Sequence, residues 1–346
     1  MILLLAHLKG QAQQITLHVE PAGTLPRMID KSRFPYITDL KLTGELNGTD
    51  IKHIREMILS KLKVLDLSEA RIVSGGEPYV QYYGLYYYTD NDIFGHYMFC
   101  YYKELPVISK IILPKSTLEI GTEAFRGCRS LTDIDIPNSV TSIGRDAFLY
   151  CTSLTDIDIP NSVTSIESSA FFGCTSLTDI NIPNAVTGIG ASAFDGCTSL
   201  TDINIPNSVT YIGYEAFKGC TSLTDINIPN AVTSIGEQAF YKCDNLKSVY
   251  MNSSTPPSVG VQAFHESSKD LTIYIPRGSY PAYWLSYLGN YKLVEYDPTD
   301  IKGITTPAHN GVEKYFSIDG RPLPYPCKGV NIIQGTDGKT RKVWIP

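Results

Sequence analysis

Residues 175–197 read TSLTDINIPNAVTGIGASAFDGC, and the next 23 residues, 198–220, read TSLTDINIPNSVTYIGYEAFKGC. Variants of this line recur from Cys128 to Cys243, with a cysteine and a phenylalanine each returning every 23 positions. A fixed period of this length is typical of stacked structural units, none of which can bury its apolar face alone. The repeat therefore predicts a solenoid whose core is made by the stacking of its units.

Each unit begins with a strand pattern. In LTDIDIP, Ile134 and Ile136 alternate with Asp133 and Asp135, which predicts a short strand with the isoleucines facing inward. Pro137 has no N–H to donate and so ends the strand. The apolar residues that follow have roughly helical spacing, which predicts a short helical or 3-10 turn on the other side of the unit: Val140, Ile143, Ala147, Phe148 and Cys151. The predicted fold class is an α/β leucine-rich repeat solenoid of 23-residue units, with a small C-terminal β module.

Composition and motifs exclude several functional classes. The 346 residues carry a net charge of −6 and contain no cluster of Lys and Arg, so a nucleic-acid partner is not expected. No apolar run reaches the roughly 18 residues of a membrane-spanning helix. The six histidines lie outside the regular units, and His96 and Cys100 alone do not make a metal site. We therefore expect no enzyme, no catalytic residues, no metal and no cofactor.

The motif IPNSVTSIGRDAFLYC, residues 136–151, is specific enough to suggest a family. It resembles the BspA-like leucine-rich repeat family of bacterial surface proteins, of the secreted Bacteroidetes type. The resemblance implies a secreted or cell-surface protein that binds host or neighbouring-cell molecules. It does not name a ligand.

The remaining segments give the expected domain organisation. Met1 is followed by an apolar stretch, with Gly10 and Ala12 before a predicted signal-peptidase cut; this predicts a signal-peptide remnant, and a short apolar strand is the alternative. The C-terminal segment has a hairpin signal at Asp337-Gly338 and resembles C-terminal modules of secreted proteins, some of which are sorting signals. A simple β appendage is the other interpretation. The predicted divisions are a signal-peptide remnant at 1–12, an N-terminal cap with irregular repeats at 13–68, a Tyr-rich insertion at 69–104, the solenoid with its C-terminal cap at 105–296, and a linker with the β module at 297–346.

Two polar ladders run along the units. The cysteines are predicted to be buried thiols rather than disulfides, although stacked coils would bring them close together. The outward strand face carries a row of carboxylates, which could bind calcium or a cationic protein; satisfaction by Thr hydroxyls, backbone N–H groups and water is the favoured interpretation. This acidic row consists of Asp133, Asp156, Asp179, Asp202 and Asp225.

Tyrosines provide the candidate binding residues. Nine of them fall between Tyr79 and Tyr102, and Tyr combines a broad apolar ring with a polar tip, as interfaces favour. About half are expected to pack down and cover the insertion. The candidate ligand-binding residues are Tyr82, Tyr83, Tyr86, Tyr87, Tyr88, Tyr101 and Tyr102, with a secondary surface at Tyr250 and Tyr274.

Three functions are weighed against each other. The favoured one is a secreted or surface adhesion protein, a monomer that contacts an extracellular protein or glycan. The alternative is a structural spacer without a tailored ligand site, since the units are so alike. A carboxylate-based hydrolase is the weakest, because the carboxylates are copies at one stacked position rather than a pair in contrasting environments.

Overall fold

The computed structural model describes residues 13–103 and 105–296, together with the backbone of four strands between residues 314 and 345. The predicted signal-peptide remnant at 1–12 lies outside the described residues. Among the described residues, no helix combines the length and apolarity needed to cross a bilayer.

The N-terminal segment forms the first coils. Its elements are strand β1 (Gln13–Val19), helix α1 (Leu25–Met28), a 3-10 helix (Lys31–Tyr36), strand β2 (Ile37–Leu46), helix α2 (Gly48–Ile58) and strand β3 (Val64–Ile72). Helix α2 begins with a capping box, in which Asn47 accepts a hydrogen bond from the Thr49 N–H and Asp50 accepts one from the Asn47 N–H. The buried Asp50 carboxylate also accepts from the backbone N–H groups of Gly23 and Leu25, which ties α1 to α2.

Short strands follow in every coil. They are β4 (Gly75–Tyr82), β5 (Leu85–Thr89), β6 (Ile93–Phe94), β7 (Lys110–Ile112), β8 (Glu119–Ile120), β9 (Asp133–Asp135), β10 (Ser142–Ile143), β11 (Ser165–Ile166), β12 (Gly188–Ile189), β13 (Tyr211–Ile212), β14 (Asp225–Ile228), β15 (Ser234–Ile235), β16 (Ser248–Met251), β17 (Ser258–Val259) and β18 (Thr272–Pro276).

The predicted strand face is formed at its two ends. Strands β1, β2, β3, β7 and β9 make one parallel sheet, and β14, β16 and β18 continue the face further along. Between β9 and β14 the corresponding described segments form no continuous ladder: they make one isolated bridge, Asn181 to Asn204, and backbone hydrogen bonds from Thr178 N–H to Thr155 O and from Thr201 N–H to Thr178 O at 3.1 and 3.2 Å. The inward isoleucines of these middle units are buried as predicted, so apolar packing rather than a full hydrogen-bonded ladder holds this part of the face.

The other side of each unit differs from the prediction. Where a helical turn is expected, the described residues of units 129–243 form a second two-residue strand, and eight such strands make a parallel sheet in the order β6-β8-β10-β11-β12-β13-β15-β17. Three overlapping turns follow, closed in the first unit by Ala147 N–H to Gly144 O, Leu149 N–H to Asp146 O and Cys151 N–H to Phe148 O. Asp146, inside the first turn, has φ +56°, and a left-handed residue cannot continue a right-handed helix. The other side of the unit is therefore closed by short hydrogen-bonded turns rather than a continuous helix, and the repeat solenoid is confirmed.

A ladder of parallel phenylalanine rings fills the core. Neighbouring ring centroids are 4.8 to 5.5 Å apart with interplanar angles of at most 17°, from Phe94 through Phe125, Phe148, Phe171, Phe194, Phe217 and Phe240 to Phe264. The rings are almost completely buried. Offset stacking adds to the burial of each ring, so this ladder holds neighbouring units together.

The cysteine ladder lies beside the rings. Each Sγ from Cys128 to Cys243 is a buried free thiol that donates to the backbone carbonyl of a phenylalanine in a preceding unit, at 3.1 to 3.3 Å. Burial raises the pKa of the Cys174 thiol to about 12. The buried position and the thiol form of these six residues agree with the prediction.

A C-terminal cap closes the solenoid, and an antiparallel sheet follows the parallel strands. Helix α3 (Tyr280–Trp284), a 3-10 helix (Tyr287–Asn290) and strand β19 (Lys292–Tyr296) follow β18, and β19 pairs with β18 in parallel. Four further strands form an antiparallel sheet in the order β21-β20-β22-β23: β20 (Lys314–Phe316), β21 (Pro322–Leu323), β22 (Gly329–Gln334) and β23 (Thr340–Ile345). β22 and β23 pair antiparallel with Gln334 opposite Thr340, as the predicted hairpin requires, while Asp337-Gly338 lie outside the described residues.

Candidate functional site

The Tyr-rich insertion contains a β-hairpin made by β4 and β5. Its two turn residues, Tyr83 and Gly84, have φ of +47° and +79°, the backbone that a tight two-residue hairpin with the twist of its strands requires. Tyr82 pairs with Leu85, Gln81 with Tyr86, and Val80 with Tyr87. Because side chains alternate along a strand, this register divides the tyrosines between two faces.

The inner face of the hairpin packs on other tyrosines. The Tyr82 ring lies 4.6 Å from that of Tyr97 and stacks on Tyr102 at 4.9 Å, while Tyr87 meets Tyr97 edge-on at 4.7 Å. Tyr82, Tyr87 and Tyr97 are half-buried. Such contacts fix the rings relative to one another, so the inner tyrosines are a support for the hairpin rather than a free surface.

Two further tyrosines anchor this layer to the first coils. Tyr79 is buried and donates to the backbone carbonyl of His96 at 2.7 Å. Tyr101 is also buried, donates to the Arg55 carbonyl at 3.1 Å and lies under the Arg55 guanidinium. Tyr101 is one of the predicted binding residues, but its burial places it beneath the surface, where it can act only as a support.

A charged cluster lies at the foot of the hairpin. The Tyr102 hydroxyl donates to Glu123, whose carboxylate also accepts from Arg126 Nη1 at 3.1 Å. The Arg126 guanidinium lies 4.4 Å from the centre of the Tyr102 ring, in a cation–π arrangement. Cys100 Sγ is 3.7 Å from the same carboxylate, and burial raises the pKa of this thiol to about 12. Cys100 is therefore a protonated donor here, and His96, which accepts from the Thr122 N–H, is held separately.

The outer face of the hairpin is exposed. Tyr83 is 87% exposed, Tyr86 58% and Tyr88 55%, and Tyr102 at the foot is 42% exposed. These are the predicted candidates that remain accessible. They form a patch of rings with polar tips on a support of packed tyrosines, which we call the hairpin surface: Tyr83, Tyr86, Tyr88 and the exposed part of Tyr102.

The secondary candidates lie at the other end of the solenoid. Tyr250 and Tyr274 stack at 4.6 Å, and Tyr296 meets both rings edge-on. The Tyr296 hydroxyl donates to the Met251 carbonyl at 3.0 Å. All three rings are half-buried, so they form a packed cluster with less accessible area than the hairpin surface.

The acidic row has local partners at its ends. Lys110 Nζ is 2.5 Å from the Asp133 carboxylate, and Thr224 donates to Asp225 at 2.9 Å. In the middle, burial and then the neighbouring carboxylates of Asp179 and Asp225 raise the pKa of Asp202. Within residues 13–103 and 105–296, no group of three or more metal-binding side chains is close enough to hold an ion.

Glu123 and Arg126 were not predicted as part of the site. Both stand at positions of the repeat that vary strongly from unit to unit, with Asp146 and Leu149 at the same places in the next unit. That variability is the signal by which the sequence could have identified them.

A model of a known protein family matches the repeat region of the chain. The family model described as BspA type leucine rich repeat region matches residues 93–221 and 187–291, in six copies. These ranges together cover residues 93–291, which is more than half of the 346-residue chain. No curated protein matches the chain.

Three solved structures are similar to parts of the chain. A leucine rich cell surface protein from Faecalibacterium prausnitzii is 39% identical over 51% of this chain and 47% of its own length, with a TM-score of 0.45. The leucine rich repeat protein of T. pallidum is 32% identical over 55% of this chain and 88% of its own, with a TM-score of 0.47. A leucine-rich repeat protein from Bacteroides ovatus is 20% identical over 74% and 84%, with a TM-score of 0.28. The similarity therefore spans about half the length of the F. prausnitzii protein.

Proposed function

Because the chain belongs to the BspA-type leucine-rich repeat family, we propose that it is a secreted or cell-surface binding protein whose hairpin surface contacts an extracellular protein or glycan. The observation that carries this proposal is the exposure of Tyr83, Tyr86 and Tyr88 on a hairpin whose Tyr82 and Tyr87 rings pack on other tyrosines. An exposed cluster of large rings is rare on a surface without a partner.

The support beneath the hairpin surface favours binding. Tyr contributes contact area while only two side-chain torsions have to be ordered, and both apolar and polar partners can use its ring and hydroxyl. The hairpin is held by the Tyr82–Tyr102 stack and the buried Tyr79 hydrogen bond. A surface that is already ordered loses less entropy when a partner binds.

In this proposed role the protein binds its partner and catalyses no reaction. The buried thiols have raised pKa values, so they are poor nucleophiles. The carboxylates of the acidic row occupy equivalent positions, whereas an acid–base pair needs two contrasting environments. Location outside the cell is proposed on the family resemblance and on the F. prausnitzii protein, which is named a cell surface protein.

A structural spacer is the second candidate, and one observation favours it. On the strand face of the five units from 129 to 243, the exposed positions of Thr132 and Asp133 are the same in every unit and that of Asp135 changes only to Asn, as a scaffold without a tailored strand-face site would have. A spacer would keep its function when the exposed tyrosines are lost.

The test uses the purified full chain on printed arrays of extracellular matrix proteins and of glycans. The variant carries Tyr83→Ser, Tyr86→Ser and Tyr88→Ser. A control removes three exposed tyrosines elsewhere, which are 41% to 47% exposed, with Tyr36→Ser, Tyr211→Ser and Tyr280→Ser. We expect array binding by the natural chain and by the control, and a loss of at least about tenfold in affinity for the hairpin variant, since exposed aromatic anchors dominate interface energies.

Thermal melts of the three proteins should agree within a few degrees, because the substituted side chains are largely exposed. Equal binding by the hairpin variant and the natural chain would show that the hairpin surface is not the site. Blank arrays for the natural chain would favour the spacer.

A further inference from the structure

The five units from 129 to 243 differ from one another mainly in one segment. Their last eight residues read GRDAFLYC, ESSAFFGC, GASAFDGC, GYEAFKGC and GEQAFYKC. Ala, Phe and Cys are constant in this segment because they form the core, whereas the second, third, sixth and seventh positions change in identity, size and charge. Earlier in the unit, the exposed positions of Thr132, Asp133 and Asn138 do not change, and that of Asp135 changes only to Asn. Exposure alone therefore does not explain where the units differ.

The variable positions form one continuous strip. Each lies in the turns between the second strand and the cysteine, and the strands stack in register, Ser142 beside Ser165 and Ile143 beside Ile166. Side chains at equivalent positions of successive units are therefore neighbours. We call this strip the turn face. Its exposed large side chains include Arg145, Tyr150, Tyr214, Glu237 and Lys242.

Part of the turn face is built at a conformational cost. At the seventh position, Gly173, Gly196 and Gly219 have φ between +68° and +75°, where glycine is the favoured residue. Tyr150 and Lys242 occupy the same position with φ of +61° and +57°. Bulky residues are strained in this region, and such strain is retained where it serves a function. In these two units a large exposed side chain replaces the glycine that the backbone favours.

The turn face is continuous with the hairpin surface. Arg126 and Glu123 occupy the sixth and third positions in the coil that precedes the five units, and both contact Tyr102. Phe ring spacings of 5.1 to 5.5 Å between successive coils give the strip a length of about 30 Å. A standard protein–protein contact of about 800 Å² per partner is roughly 30 Å across.

The pattern of the strip indicates the partner. A linear glycan repeats along its length, so a surface that repeats with every unit would suit it. The turn face does not repeat: Arg145, Phe172, Tyr214 and Lys242 follow one another along it. Aromatic rings interspersed with charges of both signs are the composition of a contact with a protein surface. We propose that the turn face is a docking surface for a folded protein, which binds it together with the hairpin surface.

This inference rests on the proposed binding function, and the experiment separates the two. The turn-face variant carries Tyr150→Gly, Tyr214→Ser and Lys242→Gly; the first and third changes restore glycine where the other units have it, and the second gives the residue found at that position in the unit of Ser168. The strand-face control carries Asp156→Asn, Asp179→Asn and Asp202→Asn. Both are compared with the natural chain and with the hairpin variant on the same matrix-protein and glycan arrays. The printed protein with the strongest natural-chain signal then serves as the probe in biolayer interferometry.

The turn-face variant should lose at least about tenfold in affinity for that protein while the control keeps it. Its melting temperature should stay within about 3 °C of the natural chain, because relief of strain opposes the extra freedom of glycine in the unfolded chain. Full binding by the turn-face variant, with loss by the hairpin variant, overturns this inference and leaves the proposed function intact. Loss of binding by the turn-face variant, with full binding by the hairpin variant, would show that the hairpin surface is not part of the site. If the turn-face variant loses binding to a glycan, the proposal of a protein partner is overturned. If the natural chain binds nothing on the arrays, both proposals are overturned.

Discussion

Replacing Phe171 with alanine should reveal how much of the stability the ring ladder provides. The ring is completely buried between Phe148 at 5.3 Å and Phe194 at 5.5 Å, with interplanar angles of 2° and 3°. Loss of a buried Phe with a cavity left behind costs about 3 to 5 kcal/mol, and each stacked pair adds about 0.5 to 1.5 kcal/mol beyond burial. We expect a fall in the free energy of unfolding of at least about 4 kcal/mol.

The neighbouring residue provides a matched control. Phe172 is half-buried on the turn face, with one edge-on contact to Tyr150 at 5.5 Å. Phe172→Ala removes the same group where solvent can fill the space, so a loss of about 1 kcal/mol is expected. Urea unfolding followed by far-UV circular dichroism gives both values, and the denaturant slope should be compared as well, because a disrupted unit can uncouple its neighbours. A difference below about 1 kcal/mol between the two variants would refute the claim that the ladder forms the core.

Three further predictions concern the ladders and the acidic groups. Alkylation followed by peptide mapping should label none of the six thiols from Cys128 to Cys243 in the folded chain and all six after denaturation; rapid labelling of the folded chain would contradict their burial. Burial raises the pKa of Asp195 from 3.8 to about 6 despite the nearby Lys218, so the folded chain holds this proton more tightly and the free energy of unfolding should fall as pH rises through that window. Asp195→Asn should remove this slope and raise the free energy of unfolding at pH 7 by on the order of 1 to 3 kcal/mol; urea titrations from pH 4 to 7 that show equal slopes for both proteins would contradict it. Chelation of calcium should leave the melting temperature unchanged within about 1 °C, because the acidic row is linear and calcium prefers six to eight converging oxygens, so a large fall would reveal an ion site along the row.

The core could be predicted from the sequence because the period fixes it. Phe125 and Cys128 recur every 23 residues, so each copy packs between the equivalent residues of the two neighbouring units. This leaves few alternative arrangements for the core. Ile134 and Ile136 were predicted as inward-facing for the same reason, and all are buried. Their burial depends only on the spacing, which the sequence displays directly.

The turns and the candidate site were harder to predict. The spacing of the apolar residues in each unit fits a helical turn and also fits a series of tight turns. Asp146 has a left-handed backbone but is not a glycine, so its conformation could not be predicted from the residue type. Among the tyrosines, Tyr101 and Tyr102 are adjacent in the chain, yet one is buried under Arg55 and the other lies against Arg126 at the surface. Which ring packs inward depends on contacts between coils about 20 or more residues apart, as with Glu123, and these contacts leave no local pattern.

The two ends of the ring ladder affect whether one molecule can stack on another. Phe99 lies edge-on against Phe94 at one end, and Tyr291 lies edge-on against Phe264 at the other. A stack that ended on an open ring face would be a template for the next molecule, and a head-to-tail contact of that kind repeats without closing and builds a fibre. An edge-on ring offers no such face. The aromatic stack is thus terminated from within the chain, and the ladder presents no open ring face on which a second copy could continue it.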